Sequence, residues 1–299
     1  MERVERMLAG PGRRNELALV EAGGSRFVLK ARRDADDDAQ REAWALRLRR
    51  GASAPLLHVH LTRTEVVSLG VRRGMALDVG LGGVIVMDFV EGADPDDRDR
   101  AKSAAAAVAE LHSTRARRGP DFGCPSSAHL IYGYAADLAK RIVRQQMLVE
   151  RDRVRLTRVM EIAARRVERL GLGPRARRSL CHGDLRWHNM KMLDGCVRLV
   201  DFEGAGLGDP AVDLALMTCR TPLEEREEVE LVDAYLSARR DDSFLDRYVR
   251  VLPLVSLVSA LSAVVVGRTG TRARYRDELD RAFRRFDTRP ATGARARAR

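Results

Sequence analysis

The chain of 299 residues is poor in aromatic residues and in cysteine. Aromatic side chains make up 5% of the sequence, and tryptophan occurs only as Trp44 and Trp187, which disfavours an aromatic cage for a quaternary ammonium group. The four cysteines include no C-x-x-C pair, so neither a zinc nor a dithiol motif is indicated, and we expect reduced thiols in a cytoplasm.

Long apolar stretches are also missing. The longest, 251–266, contains a proline and three serines and falls short of the roughly 18 residues expected of a membrane-spanning helix. We interpret it as a buried helix and expect no membrane partner. The first ten residues, MERVERMLAG, mix charge with too short an apolar run for a signal peptide, so a cytoplasmic location is predicted.

Positive charge is abundant but unevenly distributed. The formal net charge is +11, and residues 268–299 contain eleven arginines against four acidic residues. A basic tail at about 287–299 could touch nucleic acid or a membrane surface. However, no aromatic residues for base stacking lie between its final arginines, so we favour a solvated tail and expect no nucleic-acid partner.

One stretch concentrates chemically active residues at a specific spacing. His182, Asp184 and Asn189 form H-x-D-x-x-x-x-N, the spacing of a protein-kinase catalytic loop, and Asp201 begins a D-F-E triplet twelve residues later. Phosphoryl transfer from a nucleotide needs an acceptor hydroxyl to be oriented and its proton accepted. Asp184 is the candidate base for that proton.

Asn189 and Asp201 are the candidate metal ligands. They offer an amide oxygen and a carboxylate, the hard oxygen donors that Mg²⁺ prefers. Residues 192–200 between them show an Asp-Gly turn flanked by alternating apolar residues, which predicts a short hairpin. The hairpin would bring the two ligands together.

HGDLRWHN followed by VDFEGAGLGDPAVDLA resembles the aminoglycoside phosphotransferase and choline kinase family. The resemblance implies Mg²⁺, ATP or GTP as phosphate donor, and Glu203 beside the metal. It also implies that Asp213 is a structural carboxylate bonded to the catalytic loop. Arg186 departs from the residues that are frequent at its position; it could contact the transferring phosphate or be an exposed loop arginine.

The fold implied by the resemblance is α+β and bilobal, as in protein kinases. We expect a small antiparallel sheet with one helix in residues 1–90 and a larger, mostly helical lobe in residues 91–299, with a hinge at about 87–92. By the same resemblance the backbone of Met87, Asp88, Phe89 and Val90 would bind the edge of the nucleotide base. A monomer or a dimer is expected.

The N-terminal third contains the candidate nucleotide-binding residues. Gly10 and Gly12 lie in a turn that could approach phosphates closely, although most such turns have no ligand. Lys30 ends a strand like the lysine that reaches the α- and β-phosphates in kinases. Its predicted carboxylate partner is Glu42, with Asp38, one helical turn earlier, as the alternative.

Hydrophobic periodicity predicts the remaining elements. Strands are expected at 16–21, 25–30, 65–69 and 84–87, the last after a turn at 80–83. Helices are expected at 34–50, 101–113, 128–149, 152–170, 223–236 and 244–266. His112 is expected to be a core histidine. In the acidic segment 223–230 we expect Val229 and Val232 to face the core and most glutamates to face water, although an acidic wall for a cationic acceptor is the alternative.

Three functions remain open at this point. The favoured one is an O-phosphotransferase that modifies an aminoglycoside or other antibiotic or natural product. The second is a kinase of primary metabolism acting on a sugar, an amino alcohol or a homoserine-type compound. The third is a catalytically silent nucleotide-binding protein, which is disfavoured because Lys30, Asp184, Asn189 and Asp201 are all present.

Overall fold

The computed structural model describes residues 3–7, 15–33, 36–48, 54–62, 64–65, 81–95, 100–114, 128–169, 179–221, 223–266 and 272–287. The fold is α+β with two lobes, as in protein kinases. The strands are β1 Arg3–Met7, β2 Asn15–Ala22, β3 Ser25–Arg33, β4 Leu57–Leu61, β5 Leu81–Asp88, β6 Ser179–Cys181, β7 Met190–Leu193, β8 Cys196–Leu199 and β9 Gly206–Gly208. The helices are α1 Asp36–Leu48, α2 Arg100–Ser113, α3 Ala128–Arg144, α4 Glu150–Arg169, α5 Pro210–Arg220, α6 Glu225–Ala238, α7 Phe244–Val266 and α8 Arg272–Asp287.

The N-terminal lobe is a five-stranded antiparallel sheet in the order β1-β2-β3-β5-β4. Helix α1 packs against it through Ala39, Ala43 and Leu46, which are spaced four and three residues apart and are at most 3% exposed. Strand β3 lies inside the sheet, between β2 and β5. A residue on β3 that faces α1 is therefore shielded from water.

The C-terminal lobe is built around α7. This helix packs against α3, α5 and α8, and nearly all its residues between Val251 and Val264 are buried or partly buried. By length and composition, the segment 244–265 could also span a membrane. However, 61% of an apolar 18-residue window within it is buried inside the fold. The long apolar helix predicted from the sequence is thus explained here by packing in the core of the lobe.

The β7–β8 hairpin carries the end of the catalytic loop toward Asp201. Its turn residues, Asp194 and Gly195, both have positive φ (51° and 72°), the conformation favoured in two-residue hairpin turns. The chain that connects the two lobes lies directly on this hairpin, since the N–H of Met192 donates to the carbonyl of Ala93 at 2.8 Å. A Cβ on Gly92 would lie 2.5 Å from the carbonyl oxygen of Met192, so the close approach requires glycine there.

Several predicted elements have different bounds in the structure. Residues 81–83 belong to β5 rather than to a turn, and the helix predicted at 128–149 ends at Arg144. The predicted strand 65–69 is wrong at Glu65, which is helical, and 66–69 lie outside the described residues. Strands β1 and β4 and helix α8 were not predicted. Helix α8 was missed because its many arginines hide a stripe of apolar residues at helical spacing.

Candidate active site

Lys30 meets three carboxylates where the two lobes face each other. Its side chain is 4% exposed, and its Nζ lies 2.7 Å from Glu42 Oε2, 2.5 Å from Asp201 Oδ1 and 3.7 Å from Glu203 Oε2. The other oxygen of Glu42 accepts a hydrogen bond from the N–H of Phe202 at 3.2 Å. The pairing of Lys30 with Glu42 rather than Asp38 is confirmed, and the pair also anchors the D-F-E segment of the opposite lobe.

Charge and burial act in opposite directions in this cluster. Burial by itself would lower the pKa of Lys30, but the negative charges of Glu42 and Asp201 outweigh it and raise that pKa above the usual range. Burial raises the pKa of Glu42, and Lys30 opposes that shift. Lys30 is therefore a fixed positive charge in a dry position, suited to binding an anion.

Asp184 is held by donors from three directions. Its Oδ1 accepts from Arg186 Nε at 2.9 Å and from Arg220 Nη1 at 2.6 Å, and its Oδ2 accepts from Asn189 Nδ2 at 3.3 Å. Asn189 Nδ2 also donates to the Asp184 carbonyl at 2.9 Å, which closes the loop on itself. About a quarter of the Asp184 side chain stays exposed. The carboxylate is oriented and remains accessible.

A buried network lies behind this loop. Asp213 is 0% exposed and accepts from the N–H of His182 at 2.7 Å and of Gly183 at 2.8 Å. The ring of His112 bonds to Asp213 at 3.0 Å and to the Tyr235 hydroxyl at 2.8 Å. The structural role predicted for Asp213 is confirmed, and so is the prediction that His112 is a core histidine; its ring has two hydrogen-bond partners.

A model of the phosphotransferase enzyme family (APH) matches residues 8–251. The chain belongs to this family. A comparison of the phosphotransferase with curated protein sequences found no match.

Solved structures with the same fold are distant in sequence. A choline/ethanolamine kinase family protein from Mesorhizobium loti is 18% identical, with a TM-score of 0.62 over 94% of this chain and 86% of that one. A thermostable mutant of aminoglycoside phosphotransferase APH(4)-Ia, in a ternary complex with ADP and hygromycin B, is 15% identical, with a TM-score of 0.64 over 94% of each chain. Ethanolamine kinase from Plasmodium vivax is 12% identical, with a TM-score of 0.56 over 95% and 82%. At these identities the likeness concerns the fold.

The residues predicted to bind a metal have suitable chemistry. The amide nitrogen of Asn189 donates hydrogen bonds to Asp184, and its amide oxygen has no partner within the described part of the chain. The N–H of Val200 donates to the Asn189 carbonyl at 2.9 Å, which places the following residue, Asp201, beside Asn189. Asp201 has left-handed backbone angles (φ 67°, ψ 63°), which are costly for a residue with a Cβ. An all-oxygen donor set of this kind fits Mg²⁺.

The segment predicted to bind the base offers few free backbone donors. The N–H of Asp88 donates to the Leu56 carbonyl and that of Phe89 to the Arg26 carbonyl, while Met87 lies inside β5 and pairs with both neighbouring strands. Among the described residues no partner is recorded for the N–H of Val90. The N–H group available to bind a base in this segment is therefore that of Val90. Gly10 and Gly12 lie outside the described residues.

Arg220 is the site residue that the sequence did not reveal. It ends α5, 36 residues after Asp184, and bonds to the same oxygen as Arg186. The sequence signal was present but weak, since an arginine in the last turn of a helix usually compensates the helix dipole. Arg186 contacts Asp184 and is 41% exposed at its side chain, so both of its predicted roles remain compatible with its position.

Proposed function

We propose that this phosphotransferase transfers the γ-phosphate of ATP or GTP to a hydroxyl group of a small molecule, with Mg²⁺ as cofactor. The favoured acceptor class is an aminoglycoside or another antibiotic or natural product. The single observation that supports this most is the chain of contacts through the site: Asn189 bonds to Asp184 and to the residue before Asp201, and Asp201 bonds to the buried Lys30–Glu42 pair.

Each group has a distinct part in the proposed reaction. Lys30 binds the phosphates, and Glu42 keeps its Nζ in place. Asn189 and Asp201 would bind Mg²⁺, with Glu203 nearby; when bound, the ion neutralises phosphate charge. Asp184 orients the acceptor hydroxyl and takes its proton. Arg186 and Arg220 keep the Asp184 carboxylate in one orientation.

An amino alcohol is the second candidate, because two of the similar structures are a choline/ethanolamine kinase family protein and an ethanolamine kinase. Recognition of a quaternary ammonium group is not favoured by the two tryptophans. The guanidinium of Arg100 lies 5.1 Å from the ring centroid of Trp187, and Trp44 packs against the core. An amine-bearing acceptor without a quaternary group is compatible with this arrangement.

The first experiment combines ATP and GTP with a panel of aminoglycosides, nucleoside and peptide antibiotics, sugars and amino alcohols, and measures release of the nucleoside diphosphate. We expect acceptor-dependent release that requires Mg²⁺. If no acceptor stimulated release of the nucleoside diphosphate, with either ATP or GTP, the proposed function would be contradicted.

Two variants test the roles of the carboxylates. Asp184→Asn should lower the rate of transfer by roughly 10²- to 10⁴-fold, the usual contribution of a general base, and leave nucleotide affinity nearly unchanged. Asp201→Ala should weaken Mg²⁺–nucleotide binding as well as turnover, because it removes a proposed metal ligand. Calorimetric titration with a non-hydrolysable nucleotide separates the two, and unchanged affinity in Asp201→Ala would refute the metal assignment.

A further inference from the structure

Helices α6, α7 and α8 line an open cavity of about 860 Å³, here called the α6–α8 cavity. Its size lies within the roughly 300–1,000 Å³ of sites for small organic molecules. The α8 wall lies beyond residue 251, where the match to the family model ends. The cavity therefore combines a segment that the family model covers with one that is outside it.

The walls of the cavity carry charges of both signs. Four acidic residues come from α6 and the residue before it, and two arginines, Arg281 and Arg285, come from α8. One pair is already satisfied, since Glu228 accepts from Arg285 Nη2 and from the Tyr248 hydroxyl, both at 3.1 Å. Among the described residues, no side-chain partner is recorded for Glu225, Asp233 or Arg281.

The spacing on α6 places the acidic groups around an apolar strip. Glu225, Val229 and Val232 follow one another at four and three residues and share a helix face, and Asp233 borders it. Glu225 and Asp233 are eight residues apart, which is about 12 Å along the helix. Val229 is 55% exposed although the sequence pattern predicts it in the core. Its place in the cavity wall accounts for that difference.

This combination selects a particular ligand chemistry. A protonated amine would meet Glu225 or Asp233, a carboxylate would meet Arg281, and an apolar group would cover Val229. A polyamine without a carboxylate would place like charges near Arg281 and Arg285. Arg281 beside these carboxylates therefore fits a molecule that carries both an amine and a carboxylate, with an apolar part over Val229.

The cavity also lies close to the proposed reaction centre. Leu223 lines it and is three residues after Arg220, so their Cα atoms are at most about 11 Å apart. The hydroxyl of Tyr248, another wall residue, lies 3.2 Å from Thr218 Oγ1, which is two residues before Arg220 on α5 and therefore on a different face of that helix. A ligand in the cavity would have to extend past Leu223 to approach Asp184.

We propose that the α6–α8 cavity binds the amine- and carboxylate-bearing part of an amino-acid-like or peptide-like acceptor. Calling the ligand an acceptor rests on the proposed phosphotransfer, whereas the binding itself does not. Arg281 is the residue that distinguishes this acceptor class from aminoglycosides, which carry amines but no carboxylate.

The test is calorimetric titration of the full-length protein with leucyl-valine, its C-terminal amide and its N-acetyl derivative. We expect saturable binding of the free dipeptide and affinities at least roughly 10-fold lower for each derivative, as for the loss of one charge-assisted hydrogen bond. Arg281→Gln should lower the affinity for the free dipeptide by a similar factor but leave the affinity for the amide unchanged. The double variant Glu225→Gln with Asp233→Asn should likewise weaken binding of the free dipeptide, and it should leave the affinity for the N-acetyl derivative unchanged.

Arg284→Gln is the matched control, because Arg284 is an exposed neighbour on α8 that does not line the cavity. It should bind all three ligands as the unmodified protein does. Equal affinity for the dipeptide and its two derivatives, no saturable binding, or no effect of Arg281→Gln would each overturn the proposal. These results do not depend on turnover. A protein that phosphorylates members of the acceptor panel but ignores the dipeptide would contradict the cavity assignment alone.

Discussion

At the scale of single residues, the two arginines on Asp184 differ in their exposure to water. Arg220 is 23% exposed at its side chain and Arg186 is 41% exposed, so the bond from Arg220 is the less hydrated of the two. A buried hydrogen bond to a charged group contributes about 1.5–3 kcal/mol. The two arginines should therefore contribute unequally to holding the carboxylate.

We predict that Arg220→Met lowers kcat by roughly 10- to 100-fold, the rate equivalent of that free energy, with a small change in the KM for nucleotide. Arg186→Met should have a weaker effect on kcat because water can replace the lost donor. Steady-state kinetics with a working acceptor measures both. Equal losses in the two variants would show that burial does not set their importance.

His112 provides a prediction about pH. Burial lowers its pKa, and Asp213 opposes that shift without cancelling it. The folded-state pKa is thus below the unfolded value of about 6.5, so stability is fully present above that value and is lost as the pH falls toward the folded-state pKa. The surrounding groups, Asp213, Tyr235 and Arg239, come from α5, from α6 and from the residue that follows α6.

We therefore expect the melting temperature to fall as the pH is lowered from about 7 to about 5, and to fall less steeply in His112→Asn, which cannot take up that proton. Thermal unfolding across this range measures the difference in slope, which is independent of any general destabilisation by the substitution. Parallel curves for the two proteins would mean that His112 does not titrate in the unfolding transition.

At the scale of elements, the turn of the β7–β8 hairpin positions the proposed metal ligands Asn189 and Asp201. Gly195 has φ of 72°, and a Cβ there would meet nothing within 4 Å among the described residues. The obstacle to alanine that this part of the chain shows is thus the left-handed backbone. A Cβ on Gly133 in α3 would also meet nothing within 4 Å, but this glycine lies inside a helix, where alanine is preferred.

We predict opposite effects for these two glycines. Gly195→Ala should lower the free energy of unfolding by about 1 kcal/mol because of left-handed strain, and Gly133→Ala should raise it by about 0.5–1 kcal/mol. Denaturant unfolding of both variants measures this. A change of the same sign in both would show that their surroundings, not their backbone angles, decide the outcome.

At the scale of the whole molecule, α8 closes the C-terminal lobe. Its Leu279, Phe283 and Phe286 are at most 4% exposed. Arg155 of α4 bonds to Asp280 at 2.9 Å and lies 4.7 Å from the Phe283 ring centroid. The helix is therefore part of the core; residues 288–299 follow it in the sequence and are outside the described residues.

We predict that a chain ending after residue 287 keeps its fold and activity, and that a chain ending after residue 271 does not fold stably. The lost burial of three large side chains, about 1.5–3 kcal/mol each, is comparable to the whole stability of a typical protein. Thermal unfolding of both truncations tests this, and Phe283→Ala, with an expected loss of about 3–5 kcal/mol, tests the packing in the full chain. An inactive but folded chain ending after residue 287 would show a role for the tail.

The site was predictable in its local parts. His182, Asp184 and Asn189 lie within eight residues, and the Asp-Gly turn that follows determines how the chain returns to Asp201. Contacts of this kind depend on short-range geometry, which residue spacing expresses directly. The choice of Glu42 over Asp38 was also predictable, because the apolar neighbours of Glu42 turn that face of α1 inward.

The long-range parts were not. Nothing in the spacing of residues shows that Arg220 reaches Asp184, or that Val229 lines a cavity instead of the core. Most of the five glutamates near the start of α6 were expected to face water, yet Glu227 bonds to Arg100 and Glu228 to Arg285. Periodicity identifies the apolar face of a helix, but it does not identify the helix that packs against it.

The sequence by itself thus determined the family and the two-lobed fold, and it indicated the residues of the proposed phosphate site, because these depend on short motifs with a fixed backbone geometry. Only the tertiary structure decided what surrounds the proposed acceptor site: the second arginine on Asp184, and the opposed charges of α6 and α8 around one cavity. Those arrangements join segments that are distant along the chain, and the packing that joins them is a property of the whole core.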